Sequence, residues 1–199
     1  RELPLDLQPL LEAAAAAHRN LPRGASVVAD VRDYMLERFR AWYADAGLRV
    51  ECVMAVQARG VTAPLDVDRR VRAVSAFSAL PEAATLAAAN KRVANILQKQ
   101  AEGSVPVSVD PALFQDAAES ALAAALESAI DACAPLLARG DYSAALIRLA
   151  ELRAPVDDFF GQVLVMSEDI ALRNNRVALL ARLRAAFLAV ADISALAVG

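Results

Sequence analysis

The sequence has little of what most active sites are made from. Among 199 residues there is one histidine, His18, and there are two cysteines, Cys52 and Cys133. A lone imidazole makes neither a zinc site nor a Cys-His pair, and His18 reads as a surface or edge-of-core residue. The two cysteines stand far apart without partner spacing, so they read as free, buried thiols of a reducing compartment. Seven glycines and nine prolines leave no Gly-rich phosphate loop, no GxSxG elbow and no HExxH pair. Aromatic residues make up 5%, and most of them sit on apolar stripes. No run reaches the ~18 uncharged apolar residues a bilayer-spanning helix needs. The nearest approach, from Ala185 to Gly199, is shorter and carries Asp192, so a soluble protein is expected despite a mean hydropathy of +0.36. No secretory or transit signal is visible. The first residue is Arg1, as expected of a piece excised from a longer chain.

What is present is alanine, leucine and helical spacing. Hydrophobic residues are 57% and charged residues 23%, which excludes intrinsic disorder and leaves enough apolar surface for a core. Asp6 is placed to cap a helix to about Arg19 with Leu7, Leu10, Leu11 and Ala14 inward, ended by the turn 21–25. Ser26 caps a second, in which Val28, Val31, Met35, Phe39, Trp42 and Ala46 recur at helical spacing until Gly47. A short helix follows from Glu51 to about Ala58. Asp66 is expected to cap the next, with Val67, Val71 and Val74 on one face. Pro81 and Glu82 suit the first turn of a helix to about Gln100, with Leu86, Val93 and Leu97 inward. After the Gly103–Pro106 loop, Asp110-Pro111 opens a segment carrying Phe114, Leu122, Leu126, Ile130 and Cys133 to Gly140. Asp141 caps Tyr142 to Arg153, Pro155 starts a short helix with Phe159 and Phe160, and Ser167 caps the last long helix. Val105–Val109 alternates like a strand but has no partner. The fold class predicted is all-α, a helical bundle.

With no catalytic motif, the informative feature is where the bases lie. A net charge of −3 argues, taken whole, against a dedicated nucleic-acid binder. Yet from Arg69 to Lys99 there are six bases (Arg69, Arg70, Arg72, Lys91, Arg92, Lys99) and a single acid, Glu82. At ~100° per residue, Lys91, Arg92, Asn95 and Lys99 fall opposite the Leu86–Val93–Leu97 stripe, mixing amides and cations as phosphate contact requires. From Arg173 to Arg184 there are four arginines and no acid. One of them, Arg176, lands in the middle of the stripe Leu172, Leu179, Leu183, Phe187 and Val190. A guanidinium there needs a partner, since desolvating a lone charge costs several kcal/mol. Asp157, Asp158 and Glu168 are the nearest candidates in sequence. Asn90 also faces inward and is expected to bond backbone across a helix junction. The carboxylate pairs Asp157-Asp158 and Glu168-Asp169 sit at helix starts, where they favour the dipole rather than acid–base chemistry.

Three strings, ANKRVANIL (Ala89–Leu97), LRAPVDDFFGQVLVMSED (Leu152–Asp169) and ALRNNRVALLARLRAAFLAVADIS (Ala171–Ser194), together resemble the carboxy-terminal region of bacterial glycyl-tRNA synthetase beta subunits. That region holds a DALR-type anticodon-binding domain. The likeness extends through VRDYMLERFRAWYADAGL (Val31–Leu48) and LDVDRRVRAVSAF (Leu65–Phe77). In the motif that names the domain an acid stands directly before Ala-Leu-Arg, whereas here Ile170 does. The resemblance implies a helical linker over 1–80 and a DALR-type anticodon-binding bundle over 81–199. It implies a cytoplasmic, non-catalytic module that holds the anticodon stem and loop of glycine tRNA, with no DNA or membrane partner. It further implies that ATP and magnesium are used by a catalytic alpha subunit in an α2β2 assembly, with no metal or cofactor here. The residues expected to touch RNA are Lys91, Arg92, Asn95, Lys99, Arg173, Asn174 and Arg182, with Arg69, Arg70 and Arg72 more remote. Arg176 is assigned to a structural buried pair. A different class of function, a helical protein-interaction or subunit-docking module, would use the same basic faces, or the first ~80 residues as a spacer.

Overall fold

The computed structural model describes residues 5–18, 26–100 and 108–197. Within them the chain forms nine α-helices and no strand: α1 (Leu7–Ala17), α2 (Ser26–Asp45), α3 (Val50–Gln57), α4 (Pro64–Ser78), α5 (Ala83–Gln100), α6 (Ala117–Ala138), α7 (Tyr142–Ala150), α8 (Arg153–Gln162) and α9 (Ile170–Leu188). Single turns of 3-10 helix cover Pro111–Leu113 and Ile193–Leu196. The 21–25 turn, the 103–106 loop and most of the strand-like 105–109 stretch lie outside the described residues.

The helix ends follow capping chemistry. The side chains of Asp6 and Asp141 accept from backbone N–H groups of the first turns of α1 and α7, satisfying donors that have no intrahelical partner. Asp116 and Glu119 form a reciprocal capping box at the start of α6. At the far end of α6, Gly140 takes φ +73°, and Asp141 N–H reaches back to the Leu136 carbonyl at 2.9 Å. This is the left-handed close for which glycine has no Cβ penalty. Several expected starts move. Asp110 caps only the Pro111–Leu113 turn, so Phe114 precedes α6. Asp66 sits inside the first turn of α4, because Pro64 supplies the fixed φ of that end. Pro155 lies within α8. Asp169, not Ser167, caps α9, accepting from Ala171 and Leu172 N–H.

One apolar cluster runs from Tyr43 through α3 to α9 and on to Leu196. Val67, Val71 and Val74 of α4, Leu86 and Val93 of α5, and Leu172, Leu179, Leu183 and Phe187 of α9 are buried as their spacing predicts. Cys52 and Cys133 are buried and free. Packing is continuous across position 80. Arg70 of α4 donates to Asp66, to the Tyr142 hydroxyl of α7 and to the Ala189 and Val190 carbonyls that end α9. Its guanidinium carbon also lies 4.1 Å from the Tyr142 ring centroid. The Asp192 N–H bonds the Ala55 carbonyl of α3 at 2.8 Å.

The first two helices depart from expectation. Of α1 only Leu7 is buried, Leu10 and Ala14 are exposed, and His18 is exposed too. The stripe Val31, Met35 and Trp42 faces outward, and Tyr43 alone among the twenty residues of α2 is buried. Periodicity identified a helix with an apolar face. What covers that face is a tertiary fact, and α1 covers little of it. One helix among the described residues, α6, is long and apolar enough to cross a membrane by length and composition. It carries Glu119, Glu127 and Asp131 and buries Leu122, Leu126 and Cys133 in the shared core.

The Arg70 network gives a stability prediction. Tyr142→Phe removes the hydroxyl that accepts from Arg70 and donates to Asp66. Hydrogen bonds to charged groups contribute about 1.5–3 kcal/mol, so urea unfolding should show a loss of about that size with unchanged m. A loss under about 0.5 kcal/mol would show that water replaces the hydroxyl without cost.

Candidate nucleic-acid interface

On α5, Lys91, Arg92, Asn95 and Lys99 are all exposed, within an arc of about 100° at 100° per residue. Leu86, Val93 and Asn90 are buried on the opposite side. Arg92 lies against a neighbouring helix. Its guanidinium carbon lies 4.3 Å from the Phe160 ring centroid of α8, and Phe160 meets Phe159 edge-on at 5.6 Å. A guanidinium laid over a ring gains cation–π energy and is held in one plane. Asn90 does not bridge a junction with its side chain. Its Nδ2 bonds the Leu86 carbonyl of its own helix, and it is the Asn90 carbonyl that receives Arg184 from α9 at 3.4 Å.

The bases of α4 are committed elsewhere. Arg70 and Arg72 pair with Asp66 and Asp68, one turn upstream, at 2.9 Å each. Counting charge from Arg69 onward had left those two acids out. Burial, then the nearby Asp68 carboxylate, raises the Tyr43 hydroxyl above its ordinary value. The unpaired basic surface on this side is thus that of α5.

The arginines of α9 divide among three directions. Arg173 is half-buried; its Nη1 faces the Ser167 carbonyl at 3.4 Å, and its buried Nε has no hydrogen-bond partner among the described residues. Asn174 is half-buried. Arg182 is exposed beside an apolar groove formed by Ile130, Cys133 and Leu149, on the α6–α7 side. Two residues on, Arg184 points toward α5 and pairs with Asp192 at 2.7 Å. Arg173 and Arg182 therefore do not share a surface.

Arg176 is buried and paired, but not with the acids nearest in sequence. Its Nε and Nη2 donate to the two carboxylate oxygens of Glu119 at 2.9 and 3.3 Å. Its Nη1 donates to the Leu164 carbonyl at 3.0 Å. The two side chains are 5% and 1% exposed. Asp157 instead faces Arg153, and Asp169 is the α9 cap. Glu119 was missed because it lies 57 residues away in sequence; its capping-box spacing to Asp116 was the available signal. Next door, Asn175 exchanges two hydrogen bonds with the Asp110 backbone. Among the described residues no group of three His, Cys, Asp or Glu is placed to hold a metal.

Residues 86–196 match the family model of the DALR anticodon-binding domain. The chain belongs to that family. It is 57% identical to the glycine–tRNA ligase beta subunit of Chromohalobacter salexigens, 54% to that of Marinobacter nauticus and 55% to that of Aeromonas salmonicida. Each comparison extends over 196 residues and covers 98% of this chain, which spans 28% of the length of those relatives. The α5 face, Arg92 on Phe160, the 163–169 loop and all of α9 fall inside the DALR match.

The Arg176–Glu119 pair sets an acid dependence. Burial alone would raise the Glu119 carboxyl, but hydrogen bonds from Arg176 and from Asp116 and Gln115 N–H outweigh it and hold it below its ordinary 4.5. A carboxyl depressed in the folded state contributes stability fully above the unfolded value and loses it as pH falls through the folded one. Stability should therefore decline from about pH 4.5 downward. Glu119→Gln, which leaves a buried guanidinium short of its partner, should cost about 3–5 kcal/mol at pH 7 and flatten that acid limb. Urea titrations between pH 3 and 7 check both; an equally steep acid limb in the variant would contradict the assignment.

Proposed function

We propose that this chain holds the anticodon stem and loop of glycine tRNA, as the binding module of a glycine–tRNA ligase beta subunit. The observation that carries the reading is the exposed cationic face of α5, with Arg92 fixed over Phe160, inside residues matched to an anticodon-binding family. Exposed lysine and arginine on one helical face neutralise backbone phosphates, and a planar guanidinium offers a surface to an unstacked base. Lys91, Arg92, Asn95 and Lys99 form the principal contact, and Arg173 and Asn174 extend it toward the start of α9. Arg182 belongs to a separate surface. In this reading residues 81–199 are the binding module and 1–80 a spacer. Activation of glycine with ATP and magnesium belongs to an alpha subunit in an α2β2 enzyme of the cytoplasm, and this chain needs no cofactor, membrane or DNA.

A second reading applies to α2 alone. Val31, Tyr34, Met35 and Trp42 are large, exposed and on one helix, which suits contact with another polypeptide surface better than with RNA. The two readings concern different surfaces and are compatible.

Reversing both charges in Arg92→Glu/Lys99→Glu should weaken binding of glycine tRNA and reduce the slope of log K against log salt by roughly one unit per lost phosphate contact. Filter binding or anisotropy across a salt series measures this. An unchanged slope would remove the α5 face from the interface, and salt-insensitive binding would favour a protein-docking role.

A further inference from the structure

The loop between α8 and α9 presents an unusual surface. Leu164, Met166 and Ile170 are 70%, 51% and 63% exposed, while the alternating Val163 and Val165 are buried. The exposure is built in. Arg176 grips the Leu164 carbonyl from beneath, Arg173 reaches the Ser167 carbonyl, and Asp169 locks the turn by capping α9. A loop pinned on its inner side in this way turns its even-numbered apolar side chains to the outside.

The surroundings decide what such a patch would meet. The last turn of α5 borders it, with Gln100 Nε2 4.0 Å from the Met166 sulfur and Lys99 in the same turn. Arg92, two turns earlier, lies about 12 Å from that end at 1.5 Å rise per residue. Arg173 stands at its other edge, at the start of α9. The rim also holds two acids, Glu168 and Asp169, and the Asp169 carboxylate is taken up by the α9 N–H groups. Apolar side chains flanked by Lys99 on one side and Arg173 on the other fit a ligand that is apolar on its faces and anionic along its spine, as a single-stranded nucleic acid is.

We propose that Leu164, Met166 and Ile170 form the platform on which unpaired anticodon-loop bases rest, with Arg173, Lys99 and Arg92 on the phosphates around them. The proposal rests on the RNA-binding reading above and adds where the bases go. It assigns two separable contributions: the α5 cations supply salt-dependent affinity, and the loop supplies contact that depends on bases being present.

The test uses this chain with a glycine-tRNA anticodon stem-loop, and with the same stem carrying an abasic loop of equal charge. Met166→Ser and Leu164→Ser replace exposed side chains, and circular dichroism with urea unfolding confirms that the fold is kept. Each should weaken binding of the intact stem-loop by roughly five- to hundredfold, the range set by lost burial of one large apolar side chain, without changing the salt slope. Neither should alter binding of the abasic stem-loop, which the unsubstituted chain should bind at least as weakly as either variant binds the intact one. Equal affinity of variant and parent for the intact stem-loop would overturn the platform and leave the α5 reading standing. Loss of binding to a protein partner with RNA binding intact would overturn it likewise. Failure of the parent chain to bind the stem-loop at any salt would overturn the RNA reading itself, and the platform with it.

Discussion

The Arg176–Glu119 pair joins three stretches of chain and fixes how they meet. From one position on α9 the guanidinium reaches the first turn of α6 and the carbonyl of the α8–α9 loop. The Glu119 carboxylate also accepts the Gln115 and Asp116 N–H groups that begin α6. A buried ion pair is a poor source of stability in itself, because desolvating both ions consumes most of their attraction. What it supplies here is geometry. Hydrophobic packing would allow the loop to slide over α9 by a residue, whereas a directional bond to the Leu164 carbonyl from a guanidinium itself held by Glu119 would not. With Asn175 fastening Asp110 one residue earlier, α9 holds segments from both of its sides, and the outer face of the loop inherits that register.

The fold was legible where local chemistry decides it. Caps at Asp6 and Asp141, glycine closes at Gly47 and Gly140, and the valine and leucine stripes of α4, α5 and α9 follow from side-chain chemistry within a few residues. So did the inward position of Arg176, since a heptad-like stripe fixes which residues lie in it. Its partner was not legible, because sequence proximity favours Asp157 or Glu168 while the fold brings α6 across. The same limit explains α2. Its apolar stripe is real as a pattern, but a pattern states only that a face is apolar. Among the described residues that face has α1 beside it and little else, and Trp42 and Met35 are exposed.

The candidate site was half legible for a related reason. Helical geometry alone places Lys91, Arg92, Asn95 and Lys99 on one outward arc, and among the described residues all four stay exposed. The α9 arginines looked like a second run of the same kind. They are in fact dispersed, because 176 and 182 point away from the direction that 173 and 184 share, and two of the four are consumed by Glu119 and Asp192. Likewise Arg70 and Arg72 are neutralised by acids just outside the window in which they were counted. A basic run in sequence becomes a basic surface only where helical phase agrees and no carboxylate stands one turn away.

These constraints explain how an acidic chain can carry a cationic face. At physiological ionic strength exposed charges are screened beyond about 8 Å, so a phosphate at α5 responds to Lys91, Arg92 and Lys99 far more than to distant acids on α2 or α6. By the same screening, exposed acids elsewhere oppose RNA only where a phosphate comes close to them. Opposed signs on one molecule thus favour orientation over raw affinity: repulsion elsewhere costs little once the α5 side is engaged, and it penalises docking in any other pose. That agrees with the RNA-binding role proposed for the α5 face, and in that role discrimination rests on contacts that do not depend on charge at all.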